Sequence, residues 1–107
     1  RLNLAALRCS RDEFAKALSA EGVDSGAGYI PVPLYGNPVF QSHGFFAGRW
    51  PVRELGLTAM DYSRANCPEA EAILRTGIRV TLHEQMTEEY ILSAAAAVRK
   101  VAAFYHA

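Results

Sequence analysis

His83 and Glu84 open as a zinc-protease helix does, but the second histidine that must follow one helical turn on is replaced by Thr87. Without that ligand the pair cannot close a metal site of this kind. His43, flanked as Ser42-His43-Gly44-Phe45, has the side chain of a general base or a ligand. Its commoner use in such a loop is a local hydrogen bond. Cys67 directly precedes a proline and an acidic run, a position where a helix dipole lowers a thiol pKa. The plainer reading is a small buried or capping residue. Covalent amine chemistry needs a lysine in a desolvated pocket, and the chain has only Lys16 and Lys100. Each falls about 200° round its helix from an apolar neighbour, Phe14 and Val98 respectively, so both are expected on polar faces. His106 stands beside the last residue, where chains are least ordered.

Wider patterns exclude several classes. There is no glycine-rich nucleotide fingerprint, phosphate loop or nucleophile elbow, so nucleotide-loop and serine-hydrolase chemistry have no support. Eleven basic residues balance eleven acidic ones, leaving no electrostatic footprint for nucleic acid or anionic lipid. Cys9 and Cys67 form neither a metal-knuckle spacing nor a disulfide framework, which fits a reduced cytoplasm. No apolar run reaches the about 18 residues of a membrane span. The 107 residues, half of them hydrophobic, suit one domain with one core.

The elements that must position these groups follow from local signals. Leu2 to Leu7 is apolar and reads as a strand. Ser10 with Glu13 makes a capping box, so a helix is expected over about 11–21, with Phe14 and Leu18 on one face and Gly22 closing it in a left-handed conformation. From Val23 to Gly56 the chain is rich in Gly and Pro yet carries Tyr29, Tyr35, Phe40, Phe45, Phe46 and Trp50. A solvated linker would not hold so many rings, so something packs on this segment: its own domain, a neighbouring domain or a second subunit. The polar stretch Asp61 to Asn66 then leads to Pro68, Glu69 and Glu71, which favour a helix start running to Thr76. Ile78 to Leu82 alternates as a half-buried strand. Thr87 caps a long helix whose buried stripe is expected at Ile91, Ala94, Ala95, Val98, Val101, Ala102 and Tyr105. The order strand, helix, irregular aromatic segment, helix, strand, helix implies an α/β or α+β, two-layer domain with a short sheet packed by helices.

Five stretches carry a resemblance in the order they occur: Ser10 to Val23, Gly28 to Tyr35 with Asn37 to Phe40, Met60 to Tyr62, Cys67 to Leu74, and Leu82 to Glu89. Together they resemble the C-terminal small domain of the pyridoxal-phosphate (PLP) sugar aminotransferases of the DegT, DnrJ and StrS type, fold type I, over nearly the whole chain. The resemblance implies that residues 1–107 are one small domain of a larger enzyme that moves an amino group from glutamate or glutamine to a keto-sugar or keto-cyclitol, often nucleotide-linked. It implies PLP and its lysine on a large domain ahead of Arg1, no PLP on this chain alone, a cytoplasmic homodimer, and no catalysis by the small domain by itself. The abrupt apolar start after Arg1 agrees with a chain that continues upstream. Tyr35 first, then Tyr29 and Asn37, with His43 as the outside candidate, are the substrate-proximal residues that the resemblance implies; an equal alternative makes Tyr29 and Tyr35 half-buried rings of a domain interface, and none of the four is read as a catalytic, cofactor or metal residue. Many relatives carry histidine where this chain has Gly28 and Tyr35, and the Tyr35 phenol can replace such an imidazole as a donor. The segment after Trp50 varies among relatives and is assigned no chemistry. The competing expectations are a free-standing module binding a small metabolite through the aromatic loop, and an oligomerisation unit packing through the alanines 94–97.

Overall fold

A computed structural model describes residues 1–64 and 66–107; Ala65, within the polar stretch from Asp61 to Asn66, lies outside them. In chain order the elements are a 3-10 turn Leu4–Ala6, α1 (Arg11–Ala20), β1 (Ser25–Ala27), a 3-10 turn Leu34–Gly36, α2 (Pro38–Gln41), an irregular turn Phe45–Gly48, α3 (Pro51–Glu54), a 3-10 turn Tyr62–Arg64, α4 (Pro68–Thr76), β2 (Ile78–Val80) and α5 (Glu88–Tyr105). Helices with a small antiparallel sheet make this an α+β fold. The chain divides into two units, Arg1–Tyr29 with Arg75–Ala107, and Ile30–Leu74.

The first unit is built on α1. Its capping box is complete: Glu13 N–H donates to Ser10 Oγ at 3.3 Å and Ser10 N–H donates to Glu13 Oε2 at 2.8 Å. These bonds satisfy two orphan amides of the first turn. The Ser10 backbone bond, with the hydroxyl beside it, holds the Glu13 carboxyl below its ordinary range. At the other end Gly22 is left-handed (φ 88°), Gly22 N–H bonds Ser19 C=O and Val23 N–H bonds Leu18 C=O. That is a Schellman stop, with Val23 folded back on Leu18. Phe14, Leu18 and Val23 are buried with Ala97 and Val101 of α5, and Ile78 and Val80 of β2 pack against them. β1 and β2 pair antiparallel, Ser25 to Val80, Gly26 to Arg79 and Ala27 to Ile78.

The structure corrects four expectations here. Leu2 to Leu7 is not a strand: Leu4–Ala6 is a 3-10 turn and only Leu7 makes a bridge, to His106. The alanines at 5 and 6 supply no β-branched bulk to hold an extended run. His106 is ordered by that same bridge, with Arg8 N–H on Tyr105 C=O at 2.8 Å and Ala107 N–H on Ala6 C=O at 3.1 Å. The last strand stops at Val80, and Leu82 is exposed. The buried stripe of α5 is shifted in part: Val101 is buried and Ala94, Ala102 and Tyr105 pack on the core as expected, but Ala97 joins them while Ile91 (41% exposed) and Val98 (39%) face outward. Small Ala97 is what lets α5 approach Phe14 and Leu18 closely. The Thr87 cap is present, its side chain accepting from Tyr90 N–H.

The second unit, Ile30–Leu74, holds no fully buried side chain among its described residues. Its rings pack on one another instead: Trp50 stacks on Tyr62 at 4.9 Å with planes 14° apart, Phe40 meets Phe45 and Tyr62 edge-on, and Phe45 lies 5.9 Å from Trp50. The aromatic segment is thus covered in part by itself. No helix among the described residues is long and apolar enough to cross a membrane.

Candidate functional site

Tyr35 sits in the 3-10 turn Leu34–Gly36, placed there by Pro33, whose fixed φ starts the turn. Its hydroxyl donates to a Glu71 carboxylate oxygen on α4 and accepts the Cys67 backbone N–H at 3.2 Å. The bond to Glu71 is the main reason the phenol is held above its ordinary pKa, since losing the proton would leave two anions in contact. Glu71, read from sequence only as a favourable charge for a helix start, is therefore a clasp. Gln41 extends it, its amide nitrogen donating to Tyr35 C=O at 2.6 Å and Tyr62 C=O at 3.0 Å. Tyr35 is thereby tied to the ring stack through Tyr62.

Asn37 is exposed and precedes α2; its carbonyl accepts the Phe40 and Gln41 amides while its side chain makes no cap bond. That amide is left facing solvent. His43 follows α2 in a left-handed conformation (φ 51°) with its ring 4.9 Å from Trp50. Its Nε2 is buried with no hydrogen-bond partner, an unusual state for a polar atom. The local hydrogen bond expected of this side chain is not formed at that nitrogen. Phe46 and Ala47 also have positive φ (44° and 58°), which costs non-glycine residues of order 1–3 kcal/mol each. No hydrogen bond or ring contact joins His43 directly to Tyr35 or Asn37 among the described residues; Gln41, Tyr62 and Trp50 stand between them in sequence of contact.

Tyr29 belongs to the first unit and is 76% exposed. The Arg79 guanidinium carbon lies 4.7 Å from its ring centroid. Arg79 is the polar position of the alternation Ile78-Arg79-Val80, a signal that marks it as solvent-facing but says nothing of its partner.

Lys100 is bound by Glu21 at 2.7 Å with its side chain 69% exposed, and Lys16 is on the exposed side of α1. Both amines are exposed, and Lys100, although it lines a cavity, is ion-paired there, so neither is in the desolvated setting that favours a neutral amine, and the described residues do not fit a PLP Schiff base. No group of three or more His, Cys, Asp or Glu among the described residues could hold a metal ion. A cavity of about 290 Å³ between α1 and α5 is lined by Ala17, Ala20, Val101, Phe104 and Tyr105 together with the Glu21–Lys100 pair. Comparison with family models, curated proteins and solved structures finds no match for this chain.

Proposed function

We propose that residues 1–107 are the C-terminal small domain of a PLP-dependent sugar aminotransferase of the DegT, DnrJ and StrS type. The reading rests on one observation: five stretches that resemble that domain follow one another in its order, from the Ser10 capping box to the Leu82–Glu89 turn into the last helix. The α+β element order is compatible with it. In this reading the amino group passes from glutamate or glutamine to a keto-sugar or keto-cyclitol on a large domain that supplies PLP and its lysine, in a cytoplasmic homodimer. This chain's own part is to cover and orient the substrate, and no step of the transfer is assigned to it.

Within that part the four substrate-proximal residues act differently. The Tyr35 proton is engaged by Glu71, so Tyr35 fixes the loop on α4 and offers a ring edge. Tyr29 and Asn37 are exposed, where a sugar hydroxyl can reach them. His43 Nε2 is the unsatisfied atom of the set, and a change at the strained turn behind it would present that nitrogen.

The test is the intact mass and N-terminal sequence of the natively expressed protein, read against the upstream reading frame. A longer product that binds PLP on a lysine ahead of Arg1 and loses that absorbance with glutamate is the expected result. A native start at or beside Arg1 would sink the reading.

A second reading, an oligomerisation unit, is favoured by α5, which leaves Leu92 and Phe104 exposed beside its alanines. Equilibrium sedimentation distinguishes it: a concentration-dependent oligomer dispersed by Phe104→Glu is required.

A further inference from the structure

We infer that Arg79, held over the Tyr29 ring on the bare outer face of the β1–β2 pair, is a receptor for an oxyanion of a small molecule, carboxylate or phosphate. Ile78 and Val80 turn toward the core and Arg79 turns away from it, as alternation along a strand requires. The residue directly across the sheet is Gly26, where an added Cβ would meet nothing within 4 Å. Gly28, one residue past β1, has a left-handed backbone (φ 74°), and Tyr29 after it places its ring against the Arg79 guanidinium. The guanidinium therefore stands above a floor with no opposing side chain, open to an incoming group.

The contact of the guanidinium with the Tyr29 ring takes none of its N–H donors, and no hydrogen bond from those donors forms among the described residues. Arginine's planar fork can then offer two N–H groups to two oxygens. No carboxylate is paired with Arg79 among the described residues. Asp24, just before β1, accepts the Thr81 N–H through its carbonyl and, among the described residues, forms no ion pair with Arg79. A second guanidinium adds positive potential: Arg11 Nη2 is 3.5 Å from the position a Cβ on Gly28 would take, although Asp12 shares that group at 2.8 Å. An exposed arginine held against a ring with its donors unspent, a glycine across the sheet and a second cation nearby is the chemistry that recognises an oxyanion rather than a neutral or cationic group.

The inference does not depend on the aminotransferase reading, because binding is measured without cofactor or turnover. The chain is titrated with inorganic pyrophosphate and, separately, with succinate, following the side-chain Nε–Hε signals of its arginines by NMR. A saturable shift at Arg79 with either probe is expected; saturation by pyrophosphate alone assigns phosphate, and by succinate alone assigns carboxylate. Arg79→Gln should abolish saturation, Arg79→Lys should weaken it about tenfold because a point charge replaces the fork, and Tyr29→Ala should weaken it about threefold by loosening the guanidinium. Arg99, exposed on α5, is the internal control. Unsaturated shifts of equal size at Arg79 and Arg99, or saturation that survives Arg79→Gln, would overturn the assignment.

Discussion

The two units stabilise themselves by different means. Arg1–Tyr29 with Arg75–Ala107 encloses Phe14, Leu18, Val23, Ala97 and Val101, each nearly or fully out of water. Ile30–Leu74 encloses no side chain completely among its described residues and relies on ring-to-ring contacts and side-chain bonds to backbone. Burial of apolar area is non-directional and sums over many atoms. Ring pairs and polar clasps are directional, few, and lost when one partner moves. The first unit should therefore open only with the whole fold, and the second by local excursions well below that energy. The strained turn at His43, Phe46 and Ala47 lies in the second, where opening is easiest.

Mutations test that contrast. Leu18 is 2% exposed, and Leu18→Ala should cost about 2–5 kcal/mol through lost transfer energy and the cavity left behind; denaturant unfolding followed by circular dichroism reads it. A cost below about 1 kcal/mol would mean that this core does not carry the unit. Trp50→Ala removes contacts to His43, Phe45 and Tyr62 and should cost about 1–3 kcal/mol, confined to the second unit. Hydrogen exchange should accelerate at the Ser42, Gly44 and Leu55 amides while α1 and α5 keep their protection. If α1 and α5 lose protection equally, the units are one cooperative block and the contrast fails.

Tyr35→Phe is a smaller and more selective cut, taking away one hydroxyl and both its bonds. Because the folded Tyr35 phenol is held above its unfolded value of about 10, its contribution is complete below that value and is lost as the pH rises through the raised one. An ultraviolet titration should show tyrosinate forming above the ordinary phenol range in the parent, and that component should vanish in Tyr35→Phe. The least perturbing probe is alkylation. Cys67 is exposed, whereas half-buried Cys9 is pushed up in pKa by desolvation and then by the Glu13 charge. Mass spectrometry should find Cys67 modified at least about tenfold faster near neutral pH; equal rates would mean that the Cys9 environment is open.

Local signals in the sequence were legible wherever the partners lie within a few residues. The Ser10 box, the Gly22 stop, the Thr87 cap and the Pro68 start all involve groups no more than five positions apart, and each forms as expected. The apolar run at Leu2–Leu7 failed as a strand because pairing needs a distant partner and found only His106. On α5 the 3.6-residue period named the Ala94, Val101, Ala102 and Tyr105 positions that pack on the core, but the close approach at Ala97 turned Ile91 and Val98 outward. Tyr35 and Tyr29 stood out as rings on a loop, but their partners did not.

The sequence by itself therefore determined where α1, α4 and α5 start, where α1 and α4 stop, and that an aromatic segment must find cover, since capping and side-chain period are short-range consequences of backbone geometry. Only the tertiary structure decided that Tyr35 meets Glu71, that Arg79 lies on Tyr29 and that Lys100 meets Glu21 across 79 positions. Those pairings depend on how the chain returns on itself, and no local periodicity encodes that return.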